Sequence, residues 1–279
     1  MLKTSIESAA YFGAYDYEIG LAKMHEHGFN CVDYTIAGEP VDRYSDEEYF
    51  SYLKSLKNAA KENQIGFFQA HGNRDTISLV DGCKMNDFLL RQLITCSELE
   101  CEYLVLHPYT DGYILNADSH ETIFQKNLDF FQMLLPYAKR YGITICVENL
   151  PFRWYEMCRV TEVKKLLKTI NDENCKACFD TGHANVMREN IYDSIKLLGQ
   201  DLKVLHLHDN YGTEDDRHYL PYRGNVNWEG FIKALKEIGY QGSINLETRI
   251  SIETPEPMRD MLRQGLANIA KYFAEKIGN

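Results

Sequence analysis

The chain has 279 residues, 44% of them hydrophobic and 25% charged, with a formal net charge of −11. That length fits one large domain, since barrels of roughly 250 residues commonly form a single one. The acidic balance argues against a basic nucleic-acid face or a binder of anionic membranes, and no apolar run reaches the roughly 18 residues that a membrane span needs.

The N-terminus MLKTSIESAAYFGAYDYE has no continuous apolar core, so it does not read as a secretory signal, and the chain is expected in the cytoplasm. Short apolar runs then alternate with longer amphipathic ones to the end. Strands are predicted at 3–8, 29–34, 65–71, 102–107, 143–149, 175–180, 203–208 and 242–247. Helical patterns follow each of them, at 16–27, 46–63, 84–99, 118–140, 161–170, 189–199, 228–238 and 257–275. Strand entries often follow a Gly or a polar turn, as in HGFNCVDY, QIGFFQAH, YGITICVE and YQGSINLE. Ser45 before Asp46 and Thr161 before Glu162 read as helix N-caps. Eight βα units without a linker predict a single-domain α/β fold over 1–279, a closed (β/α)8 TIM barrel. A doubly wound sheet would want a GxGxxG or GxxxxGK turn, and neither is present.

Eight cysteines in so long a chain do not make a disulfide framework. Cys31, Cys101, Cys146 and Cys178 lie in or beside apolar strands, where a thiol packs as a small hydrophobe. The CKAC at Cys175–Cys178 has redox or zinc spacing but no second CxxC, and it reads as structural.

Four side chains close apolar runs in the second half: Glu148 in TICVENL, Asp180 in CFDTGH, His206 in VLHLHDN and Glu247 in INLET. Each interval between them is long enough for a return helix, so the four converge on one rim of the barrel. Taken singly, a strand-end acid caps the next helix or pairs with an Arg. Three carboxylates and an imidazole at one rim repel themselves unless a divalent cation sits among them. Oxygen-rich ligation with one imidazole suits a single Mn, Mg, Co or Zn ion. Strand alternation puts Thr144 and Cys146 inside with Glu148, and Ser243 and Asn245 inside with Glu247. His208 shares the interior with His206. The rim-side interior is therefore small or polar, which describes a cavity.

A second set surrounds the four. His71 ends FQAH, His107 ends LVLH, His183 follows Asp180 in DTGH, and Asp216, Arg217 and His218 lie in the loop after the seventh strand. Only His25, His27 and His120 fall outside the rim.

In VENLP, FDTGHAN, HLHD, DRHYLPYRGNVNW and LET, in that order, the chain resembles the xylose isomerase-like TIM barrels over nearly its whole length. That superfamily contains sugar isomerases, sugar 3-epimerases and endonuclease IV. The resemblance implies metal ligands at Glu148, Asp180, His206 and Glu247; its His-x-x-Asp/Glu pattern selects His206, with Asp209 behind it, over His208. It implies a small-molecule sugar substrate and a proton exchanged by Glu148 and Glu247 through an enediolate. His71, His107, His183, His208 and Arg217 would contact substrate, with Phe152, Trp154 and Tyr155 walling the pocket or packing on helices. It also implies a homodimer or homotetramer. Two alternatives stay open. Endonuclease IV holds three metals, and its ligands trace onto His71, His107 and Glu148; Asp180, His206 and Glu247; and His183, Asp216 and His218. Against a nuclease, the loops GNRDTISLVDGCKM and PYTDGYILNAD lack the basic character that grips phosphates. A keto-sugar or glycoside lyase would begin with the same proton abstraction. The loop TRISIETPEP after strand eight has no glycine, which favours a substrate without phosphate, while Arg217, Arg223 and Gly224 after strand seven leave a phosphorylated one open.

Overall fold

The alternating pattern folds into a barrel, which the computed structural model describes over residues 2–36, 46–73, 83–110, 119–213 and 215–278. The strands are β1 Lys3–Glu7, β2 Cys31–Thr35, β3 Gly66–His71, β4 Tyr103–Leu106, β5 Thr144–Glu148, β6 Cys175–Asp180, β7 Leu202–His206 and β8 Ser243–Leu246. They form one sheet in the order β7-β6-β5-β4-β3-β2-β1-β8. Every paired neighbour runs parallel. Closure between β7 and β8 rests on residue Leu207, whose N–H donates to Asn245 O and whose O accepts from Glu247 N–H, both at 3.0 Å. The helices, among the described residues, are α1 Ala9–Phe12, α2 Tyr17–His27, α3 Asp46–Glu62, α4 Asp87–Glu98, α5 His120–Tyr141, α6 Val160–Ile170, α7 Thr181–Val186, α8 Ile191–Leu198, α9 Trp228–Ile238 and α10 Glu256–Gly278. None is long and apolar enough to cross a membrane.

The outward strand residues, such as Ile145, Val147, Phe179 and Leu205, join the helix faces in one continuous core. The inward ones build two tiers. The lower is apolar and separate: Cys31, Phe68, Val105, Cys146, Cys178 and Val204. Above it lies a hydrogen-bonded polar layer. Asp33 Oδ2 accepts from Asn245 Nδ2 at 2.7 Å and from Gln69 Nε2 at 3.0 Å, and Ser5 Oγ donates to Asn245 Oδ1 at 2.9 Å. The parity expected for β5 and β8 is the one observed. In β3 a register shift opposite Val32 and Asp33 turns both Phe68 and Gln69 inward, which simple alternation does not allow.

Thr161 lies inside α6, so it is not the N-cap expected from sequence. The neighbouring acid does that work: Glu162 Oε2 accepts from Arg159 N–H at 2.8 Å and Cys158 N–H at 3.1 Å, satisfying donors that a helix start leaves open. Ser45 lies outside the described residues. All eight cysteines are free, in keeping with the absence of a disulfide framework. Cys175 packs among the helices, while Cys178 points into the lower barrel tier.

Candidate metal centre

Parallel β5, β6 and β7 end on Glu148, Asp180 and His206, and Glu247 directly follows β8, all at one end of the barrel. Each offers one ligand atom, and the four atoms lie within 4.8 Å of one another. Ligands around a single ion with bonds of about 2.0–2.2 Å span a little over 4 Å. His206 Nδ1 stands 3.0 Å from both Glu148 Oε1 and Glu247 Oε2. Its Nε2 faces Asp33 Oδ2 at 3.3 Å, so the ring is set with Nδ1 toward the carboxylates. A carboxylate behind a ligating imidazole fixes its tautomer and raises its basicity. Asp180 meets two demands at once. Its Oδ1 accepts from His183 N–H at 2.7 Å and caps α7, while its Oδ2 is buried without any hydrogen-bond partner. An orphaned buried carboxylate oxygen costs several times an ordinary hydrogen bond, unless a cation takes it up. The donor set fits a divalent ion.

The electrostatics agree. Burial alone would raise the Glu148 carboxyl, yet His206 and His107 hold it well below the ordinary carboxylate range. Burial likewise works against Glu247, and His206 and His218 overcome it and keep it low. Glu7, at the end of β1, goes the other way: burial, then Glu247 and Asp33, push it up to about 7.

Two further groups flank the four. His107 Nε2 lies 3.1 Å from Glu148 Oε2, and His71 and His107 share a hydrogen bond of 3.1 Å between their Nε2 atoms. On the other side Asp216 Oδ2 lies 2.9 Å from His218 Nε2 and 3.3 Å from His183 Nε2. Both rings present Nε2 because their Nδ1 atoms hydrogen-bond carbonyls at 2.8 Å, Asn149 O for His183 and Glu247 O for His218. His208 stacks on His218 at 3.8 Å and reaches Asp180 Oδ1 at 3.0 Å. That stack needs Gly182, where a Cβ would come within 1.9 Å of the His208 ring. Burial opposes a charge on His183, but Asp180 and Asp216 raise it to about 10.

Residues 21–272 match the family described as xylose isomerase-like TIM barrel. The chain belongs to that family. It is 24% identical over 249 residues to D-psicose 3-epimerase of Agrobacterium fabrum, covering 86% of this chain and 80% of that one. The structure of D-psicose 3-epimerase with D-tagatose from Clostridium cellulolyticum H10 superposes with a TM-score of 0.80 at 20% identity, over 98% of this chain and 99% of the other. The structure of IOLI protein with a binding zinc atom gives 0.74 at 19% identity, over 99% and 98%.

Within this xylose isomerase-like barrel the structure gathers most of the residues expected from sequence. Glu148, Asp180, His206 and Glu247 form one group, and His71, His107, His183, His208, Asp216 and His218 adjoin it. Two residues assigned to substrate stand open to solvent. Trp154 is 81% exposed, and Arg217 is exposed and paired with Asp215. Phe152 and Tyr155, both partly buried, pack beside Leu150, Cys158 and Met187. Asp209 pins the β7 loop: Oδ2 accepts from Trp228 Nε1 at 2.9 Å and Oδ1 from Val226 N–H at 3.0 Å. Sequence reasoning missed Asp33, Glu7 and Asn149. Most of the loops after β3 and β4, whose charge weighed against a nuclease, lies outside the described residues.

Proposed function

We propose that the protein is a divalent-metal-dependent sugar epimerase or isomerase that moves a proton beside a ketose carbonyl. The observation that carries this is the opposition of Glu148 and Glu247 across His206 Nδ1, each at 3.0 Å, beside the orphaned Asp180 Oδ2. The activity of the similar proteins, 3-epimerisation of D-psicose, supports the substrate class. A bound divalent ion would polarise the ketose carbonyl and stabilise negative charge on its oxygen. Glu148, Asp180, His206 and Glu247 would hold that ion. Glu148 and Glu247 would work as a pair: one, as carboxylate, takes the proton from one face of the carbon, and the other, carrying a proton drawn from solvent, delivers it to the opposite face. Burial of the pair fixes their positions beside the reacting carbon. His183, charged and held by Asn149 O, donates toward the oxygen that gains charge. Incubating the Mn-loaded protein with ketoses in deuterated water tests this. Solvent deuterium should enter at the carbon beside the carbonyl; no incorporation with any ketose would defeat the reading.

A second reading has its own observation. The set His183, His208, Asp216 and His218, and the set His71, His107 and Glu148, each also converge within 4.8 Å. Three such groups suit a multi-metal phosphodiesterase. Metal analysis separates the two: one tightly held ion per chain fits the epimerase, three the phosphodiesterase.

A further inference from the structure

Beside the centre, between the ends of β1 and β8, lies a cavity of about 410 Å³. Glu7 and Thr248 line it where it adjoins Glu247. Its wall also carries Arg249, Arg259 and Arg263. Arg263 is committed to the fold, donating to Ala10 O at 3.1 Å and to Glu256 Oε1 at 2.8 Å. The other two are not fully used. Arg259 pairs with Glu256 through Nη2 at 2.6 Å, but its Nε is buried without a partner. Arg249 is exposed and its side chain makes no hydrogen bond or ion pair among the described residues. Its backbone N–H donates to His218 O at 3.0 Å, which ties its base to the loop carrying the flanking imidazoles. Thr248, 3% exposed, leaves Oγ1 without a partner at the same wall. Three guanidinium groups face two carboxylates here, Glu256 and Glu7, so positive charge is in excess.

We propose that this cavity binds an anionic group, a carboxylate or phosphate, at the end of the substrate remote from the reacting carbon, through Arg249 and Arg259. The proposal rests on the reading of the adjoining centre as a site of ketose chemistry. Planar guanidinium forks match a carboxylate in two parallel hydrogen bonds. Thr248 Oγ1 supplies a hydrogen bond nearer the centre. The ligand class is therefore a keto-sugar with a charged terminus, a neutral ketose being the poorer substrate. The β8 loop has no glycine, so recognition here falls to side chains and not to a cradle of backbone N–H groups.

The test uses three probes that differ only at C6: D-fructose, D-fructuronate and D-fructose 6-phosphate. Deuterium exchange is measured for each with the metal-loaded protein and its Arg249→Met and Arg259→Met variants. One of the two anionic probes should exceed fructose in kcat/KM by about tenfold or more, chiefly through KM, and Arg249→Met should bring that ratio close to one. Which anion leads decides between carboxylate and phosphate. Equal kcat/KM for all three probes, or a ratio untouched in both variants, overturns the proposal. If no probe exchanges deuterium, the catalytic reading fails by itself. Calorimetric titration with the same probes then decides the anion site: binding of an anionic probe that weakens in Arg249→Met upholds it, and equal binding by parent and variant overturns it.

Discussion

The two tiers of the barrel interior are built from the same strands, yet they obey opposite rules. In the lower tier Cys31, Phe68, Val105, Cys146, Cys178 and Val204 fill space with apolar atoms, and no charge has to be balanced. One or two residues further along, the strands end in Glu148, Asp180, His206 and Glu247, with buried oxygens left without donors. A stable protein rarely keeps such oxygens, because each gives up hydration for nothing. The lower tier thus holds the barrel together, and the upper one spends stability on a binding site.

Changes in the upper tier should have the largest effects. Glu148→Gln and Glu247→Gln should each lower deuterium exchange by roughly 10³-fold, in the range for a lost general acid or base, while circular dichroism shows an intact fold. Full turnover in either purified variant would break the contrast between tiers. Gly182→Ala should come next. Its Cβ must displace the His208 ring from Asp180 and His218, and activity should fall by about 10²-fold, the cost of displacing a group that orders the centre; activity equal to the parent's would count against the stacked arrangement.

Removing metal should also separate the tiers. With the ion gone, carboxylate repulsion returns only above, so chelation should lower the Tm, and added Mn should restore it by mass action. No change in Tm on chelation would mean that the imidazoles alone balance the carboxylates. In the lower tier, Val105→Ala should cost about 2 kcal/mol in urea denaturation from lost burial and the cavity left behind, with kcat held. A large loss of kcat there would show that the tiers are mechanically linked. Trp154→Ala and Arg217→Ala should be the mildest, within about 0.5 kcal/mol in stability, as for exposed side chains, and with nearly parental exchange rates.

The same division governs what was legible in the sequence. Glu148, Asp180, His206 and Glu247 stood out because each ends an apolar run, and parallel strands carry run ends to one rim. Alternation then placed Cys146 and Asn245 correctly. Asp33 escaped because it sits in the middle of CVDYT, where an acid looks like a local flaw; only the contact with His206 shows its purpose. Glu7 could have been found by the same alternation, since Ser5 and Glu7 share a face. The inward turn of both Phe68 and Gln69 had no signal, because the register shift depends on the partner strand. Asp209 and Arg217 show a related limit: a motif fixes spacing along the chain, but loop geometry decides which way a side chain turns. Asp209 turns to Trp228 and Arg217 to Asp215. Arg249 belongs to no motif and became visible only as a guanidinium without a partner.

The most direct test of the account is proton exchange at the reacting carbon. A Mn-loaded sample in deuterated water should place one deuterium beside the carbonyl of its ketose, while Glu148→Gln and Glu247→Gln place almost none. Epimerised or isomerised product formed without solvent deuterium, or incorporation undiminished in both variants, would contradict the assignment of these two carboxylates to proton transfer.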